Sequence, residues 1–134
     1  MQGILHLISK IHQKGNKFII EQLKKKNIEG LVPSHGDILV VLYKNKMTMN
    51  EIAKKIRRTK PTVTVLVDKL EKSGYIKREA SDKDNRCINI VLTKKGEDFK
   101  PIFEEISDSI NNELFANLNE FEKDILEKLL KKIK

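Results

Sequence analysis

The sequence predicts a mainly α-helical chain with one small β-hairpin set into it. Three observations carry that expectation. Apolar residues recur at three- and four-residue steps over most of the 134 positions. The period shifts to two only between Tyr75 and Leu92, on either side of a polar turn. Helix-start signals at Pro33-Ser34, Thr48, Thr59 and Thr93 divide the remainder into separate helices.

The first stripe, Ile4, Leu7/Ile8, Ile11, Phe18/Ile19 and Leu23, reads as one long helix fraying near Lys24–Lys26 and Gly30. Gly15 interrupts it at a cost of about 1 kcal/mol against alanine; a close helix approach or a tolerated defect would each account for it. Pro33-Ser34 opens the next helix, because a first-turn proline lacks only an N–H that had no helical partner. Ile38, Leu39, Val41 and Leu42 are its inward side, and it ends near Tyr43–Lys46.

Thr48 and Glu51 have capping-box spacing, in which each side chain satisfies a backbone N–H of the other. The short helix that follows buries Ile52, Ala53 and Ile56 and ends at Arg57-Arg58, where Thr59 caps another with Pro61 in its first turn. Two helices joined so tightly form a helix-turn-helix. On the second, the 100° step gathers Val63, Leu66, Val67 and Leu70 into one packed sector. Pro61, Val65, Asp68 and Lys72 point the opposite way, flanked by Thr62, Thr64 and Lys69. A helix that only packs needs no such outer face, whereas small and hydroxyl-bearing residues there allow close approach to base edges and phosphates. Gly74 suits the C-cap, and Tyr75-Ile76-Lys77-Arg78 begins a strand. The return strand, Arg86–Leu92, alternates Ile88, Ile90 and Leu92 with Cys87, Asn89 and Val91. Lys83 and Arg86 lie at the hairpin tip, and Thr93 caps a last long helical region. There, Phe99, Ile102, Phe103, Ile106 and Ile110 form one stripe, and Leu114 to Ile133 carries a second around Asn117–Asn119. Pro101 falls near the start of its helix and kinks it if that helix begins at Thr93.

The net charge of +8 is unevenly spread. Residues 44–95 hold 15 Lys/Arg against 6 Asp/Glu, the first 43 residues 6 against 3, and the last 39 only 6 against 10. A cationic centre with an acidic C-terminal flank is the footprint of a polyanion binder. One cysteine, Cys87, makes neither an intrachain disulfide nor a zinc-ligand set and reads as a small strand residue in a reducing compartment. His6, His12 and His35 have no zinc-binding spacing and are expected at surfaces or interfaces. No apolar run approaches the roughly 20 residues that span a bilayer, and the N-terminus lacks a signal-peptide pattern, so a cytoplasmic chain without membrane partners is expected. No nucleophile motif, phosphate loop or acid–base cluster suggests an enzyme, and no cofactor is expected.

The helix-turn-helix, TVTVLVDKLEKSGYIKR at Thr62–Arg78, the run Asp82-Lys83-Asp84-Asn85-Arg86 and LTKKG at Leu92–Gly96 together closely resemble the MarR family of winged-helix transcription regulators. The resemblance extends along the whole chain. It implies a winged helix-turn-helix lobe at residues 31–96, flanked by dimerisation helices at 1–30 and 97–134. It also implies a homodimer that binds double-stranded DNA at a palindromic operator as a repressor. Carried over by position, Thr59, Lys60, Thr62, Thr64, Val65 and Lys69 match the DNA-facing helix and its start. Pro61 stands among them where the family often has a small hydroxyl residue. Arg86 matches the wing arginine that enters the minor groove, where narrowing concentrates negative potential, and Asp84 the acidic partner that holds it. The resemblance further implies a cleft for a small phenolic or anionic effector near His35 and Asp37. The competing class is a winged-helix protein-interaction module, which would have no need to keep Lys60, Lys69, Lys83 and Arg86 with Thr62 and Thr64 on one surface.

Overall fold

In the computed structural model, which describes residues 3–80 and 87–134, the first apolar stripe folds as α1 (Ile4–Lys25). Asn27 and Gly30 turn the chain with φ of 60° and 84°. An added Cβ at Gly15 would meet Leu114 Cδ2 at 3.9 Å, an ordinary contact, so sterics do not demand glycine there.

Helix α2 (Pro33–Lys44) starts at its proline. It buries Ile38, Leu39 and Leu42 as the sequence predicts, with Val41 half-buried. Helices α3 (Met49–Ile56) and α4 (Lys60–Lys72) follow. The capping box at α3 forms: Glu51 N–H donates to Thr48 Oγ1 and Thr48 N–H to Glu51 Oε1, each at 3.3 Å.

Among the described residues the sheet has three strands rather than the hairpin's two. Strand β1 (Met47–Thr48) joins β2 (Ile76–Ala80) and β3 (Ile88–Leu92) in the antiparallel order β1-β3-β2. Its register sets Met47 opposite Ile90 and Thr48 opposite Asn89. Two residues carry no alternation to read, and Thr48 has a second role: its extended backbone, φ −76° and ψ 164°, serves both the ladder and the cap of α3. Strand β3 begins at Ile88, so Cys87, expected inside the return strand, precedes it and is exposed; Arg86 lies outside the described residues. Ile90 is 1% exposed and Leu92 half-buried, but Ile88 is 53% exposed because this end of the hairpin lies outside the core.

Among the described residues, the largest fully buried side chains are Ile38, Leu39, Ile52, Val63, Val67, Leu70, Ile76 and Ile90. The centre of the fold is therefore the segment from α2 to β3. At roughly 1.5–3 kcal/mol for each buried aliphatic side chain, these residues supply much of what orders it. Helix α5 (Lys94–Ser109) is capped by Thr93, whose Oγ1 accepts the Gly96 N–H at 3.2 Å. Pro101 lies in its interior, not near its start, and supplies no N–H to the Glu97 carbonyl. A π-helical turn, Ile110–Leu114, follows α5. After a break, α6 (Glu120–Lys132) starts at a capping box formed by Asn119 and Glu122. It contains no buried residue among those described, although Phe121, Ile125, Leu126, Leu129 and Leu130 lie along it.

Candidate nucleic-acid interface

The start of α4 is shaped by the three residues Arg57, Arg58 and Thr59 that join it to α3. Arg57 closes α3 in the left-handed region, at φ 56°, with its N–H on the Ala53 carbonyl. Thr59 then extends and caps α4, accepting the Thr62 N–H at 3.4 Å. Lys60 and Pro61 occupy the first turn, where the missing proline N–H costs nothing.

The inner side of α4 is spent on packing, with Val63, Val67 and Leu70 at 0% exposure. The outer side is open: Thr59, Lys60, Pro61 and Thr62 are exposed, and Val65 is 68% exposed. The hydroxyls are already partly committed. Thr59 Oγ1 donates to Thr62 Oγ1 at 2.9 Å, and Thr64 Oγ1 donates to the Lys60 carbonyl at 2.9 Å. Thr64 therefore retains lone pairs but no proton, which suits an amino group on a base edge, whereas Thr62 keeps its proton to donate.

Two positions of the helical wheel, the flanking Lys69 and the outward Asp68, differ in detail. Lys69 is exposed, but its Nζ lies only 3.0 Å from where a Gly30 Cβ would stand, so the ammonium leans toward the α1–α2 loop. Asp68 turns to the hairpin: Arg78 on β2 donates from Nη2 to Asp68 Oδ1 at 2.9 Å and from Nη1 to Glu71 Oε1. The Asp68 hydrogen bond and both nearby carboxylates raise the Arg78 pKa further above its ordinary value. The sequence reading placed Arg78 in the strand without a partner. Its signal was a D-x-x-E pair on one helix face followed by arginine in the next strand. Lys83, Asp84 and Arg86 lie outside the described residues.

A cavity of about 510 Å³ opens between α1, α2 and α5. Ile19, Phe99 and Phe103 line its apolar wall, while Asp37 and Arg58 reach it from α2 and the α3–α4 turn. Arg58 immediately precedes Thr59, so the cavity extends to the start of α4. Desolvation raises the Asp37 pKa above the usual carboxylate value, against the opposing pull of Arg58 and His12.

His35 is not at a surface and does not line this cavity. It is 5% exposed, and its Nδ1 accepts the Val32 N–H at 2.8 Å, satisfying a donor at the start of α2. Burial, aided by the Lys69 charge, lowers its pKa, and the acceptor role requires an unprotonated Nδ1. The unfolded chain thus binds the proton more readily. Stability is full above the unfolded value of about 6.5 and falls as pH drops from there toward the folded-state pKa. Urea midpoints at pH 7.5, 6.5 and 5.5 should decline in that order, and His35→Gln should flatten the decline. An unchanged slope in the variant would assign the proton to another group.

Among the described residues no three or more His, Cys, Asp or Glu side chains gather as a metal site, and no helix is long and apolar enough to cross a membrane. A helix-turn-helix with an exposed second helix, backed by a three-stranded sheet, defines a winged helix-turn-helix protein. Residues 29–86 match the model of the MarR family. The chain is 28% identical over 129 residues to the transcriptional repressor MprA of Escherichia coli, covering 96% of this chain and 71% of that protein. Its fold matches MepR of Staphylococcus aureus in a DNA complex with a TM-score of 0.84 and 28% identity, covering 98% of this chain and 96% of the other. It also matches a probable transcriptional regulator from Pseudomonas aeruginosa with a TM-score of 0.86 over 98% of this chain and 96% of the other, a likeness of fold alone at 22% identity. In sequence and in fold the chain is thus similar to transcription regulators of the MarR family.

Proposed function

We propose that the chain acts as a homodimeric repressor. Residues 31–96 place α4 in the major groove of double-stranded DNA, and residues 1–30 and 97–134 pair two copies on a palindromic operator. The observation that carries this reading is the divided character of α4: Val63, Val67 and Leu70 are wholly inside, while Thr59, Lys60, Pro61, Thr62 and Val65 are presented outside. That composition suits phosphate contact by Lys60 and close approach by the small side chains to base edges. Thr64 and Lys69 flank the face, and Lys83 and Arg86, the latter held by Asp84, would reach the adjacent groove. MepR in complex with DNA and a repressor named MprA lend support as relatives.

Release by a small ligand belongs to the same proposal. A phenolic or anionic effector would lay its ring against Phe99 and Phe103 and its acidic group toward Arg58, beside Asp37. Binding there would pull on the residue before the α4 cap. His35, beneath the start of α2, would support that wall and not touch the ligand.

The test is fluorescence anisotropy with duplex DNA from upstream of the chain's own gene, against random duplex, over a salt series. Specific binding that weakens steeply as salt rises is expected, because phosphate neutralisation releases counterions. Equal affinity for random duplex at every salt concentration would overturn the sequence-specific reading.

A further inference from the structure

The Arg78 side chain occupies the point where the hairpin leaves the core. Its cross-strand neighbour Ile90 is 1% exposed, while the pair two residues further on, Ala80 and Ile88, is already outside. From there the guanidinium forks to Asp68 and Glu71, which lie one turn apart on the same face of α4. The three side chains are 32%, 50% and 37% exposed. Ion pairs so open to solvent add little to global stability, yet a planar guanidinium meeting two carboxylates fixes direction well.

The arrangement also solves an electrostatic problem. Helix α4 presents Lys60 and Lys69 at its surface, but Asp68 and Glu71 would otherwise turn two negative charges toward the same polyanion. Arg78 meets both.

We propose that Arg78 is a positioning residue: by bridging Asp68 and Glu71 it ties the base of the β2–β3 hairpin to the middle of α4, so that both reach DNA in one fixed geometry. The functional consequence rests on the DNA-binding reading above, but the tie itself does not.

Positioning and bulk charge predict opposite signs for one variant. Asp68→Asn/Glu71→Gln makes the chain more positive, so charge alone would tighten its grip on any duplex. Positioning requires that it bind the operator about 10-fold or more weakly, with affinity for random duplex unchanged or raised. Arg78→Gln should also lose operator affinity, and Arg78→Lys should recover only part, because one ammonium cannot reproduce the fork.

The sequence contains a single cysteine, Cys87, exposed just before β3, and a thiol-reactive fluorophore is to be attached there. Without DNA, the attached probe should rotate more freely in Arg78→Gln and in the double-carboxylate variant, with melting temperatures near that of the unmodified chain. Unchanged probe anisotropy, or an operator affinity in the double variant equal to or above the original, would overturn the proposal. If the unmodified chain selects no duplex, the DNA-binding reading fails, while probe rotation still decides whether Arg78 holds the hairpin.

Discussion

Gly96→Ala is expected to destabilise the fold by about 3 kcal/mol or more, at the upper end of what overpacking costs. A Cβ at that position would stand 2.1 Å from the Tyr75 carbonyl oxygen and 3.1 Å from Leu92 Cδ2. The first clash is with backbone, so no rotamer change relieves it. The backbone is also held in place: Thr93 N–H donates to the Tyr75 carbonyl at 3.0 Å, and the Thr93 hydroxyl donates to the Gly74 carbonyl. Gly96 itself is fixed by the Thr93 cap and by Tyr43 Oη, which donates to its carbonyl at 3.1 Å. Alanine therefore has to push the start of α5 off the sheet. The edge-to-face contact of Tyr75 with Phe99, at 5.5 Å between ring centroids, goes with it. Urea denaturation measures the loss, and Gly15→Ala is the comparison, since a Cβ there meets only Leu114 at 3.9 Å. A Gly96→Ala chain within about 0.5 kcal/mol of the original, the range of an ordinary surface substitution, would mean that the junction yields.

This junction shows where sequence reading ends. Gly96 entered that reading as the last letter of LTKKG, and its neighbours Thr93 and Gly74 as a cap and a C-cap. Those are local properties, readable from residue type and spacing. That α5 lies against the Tyr75 carbonyl is a contact between segments 21 residues apart, and no period encodes it. The same division separates the strands. The alternation of Ile88, Ile90 and Leu92 announced β3, whereas β1 is two residues long and is strand only because Ile90 and Asn89 lie beside it.

The proposed interface was legible to the same depth. The 100° step placed Val63, Val67 and Leu70 inside and Val65 outside, and the structure has them there. The wheel gives direction but no partner. It therefore pointed Asp68 outward, where the structure has it paired with Arg78, and could not reveal that Lys69 leans over Gly30. His35 was read by what it lacked, a zinc spacing. Its position three residues after Val32 was available, but imidazole is not an expected capping group, and only its burial makes that bond decisive.

Placing a glutamate at both Leu126 and Leu129 is expected to abolish dimer formation and lower operator affinity on the order of 100-fold or more, the avidity that linking two half-site contacts supplies. Helix α6 is little covered by its own chain. It has 13 residues and buries none of them, and helices of that length are marginal in water unless an apolar face is covered. Phe121 is 71% exposed, Leu126 39% and Leu129 55%, while Ile4 and Leu5 at the other end of the chain are 71% and 80% exposed. Aliphatic and aromatic surface concentrated on the two terminal helices calls for a cover of the same kind, and a second copy brings both helices. Glutamates in that seam would be desolvated without partners, which the paired state cannot absorb. The largest fully buried side chains described lie between Ile38 and Ile90, so the central segment should still unfold cooperatively. Sedimentation should show the mass of one chain, far-UV circular dichroism a loss of helix, and anisotropy weak binding at single half-sites. A variant that sediments as a dimer would move the pairing surface away from α6. A monomer that holds the operator as tightly as the original would remove the need for two copies.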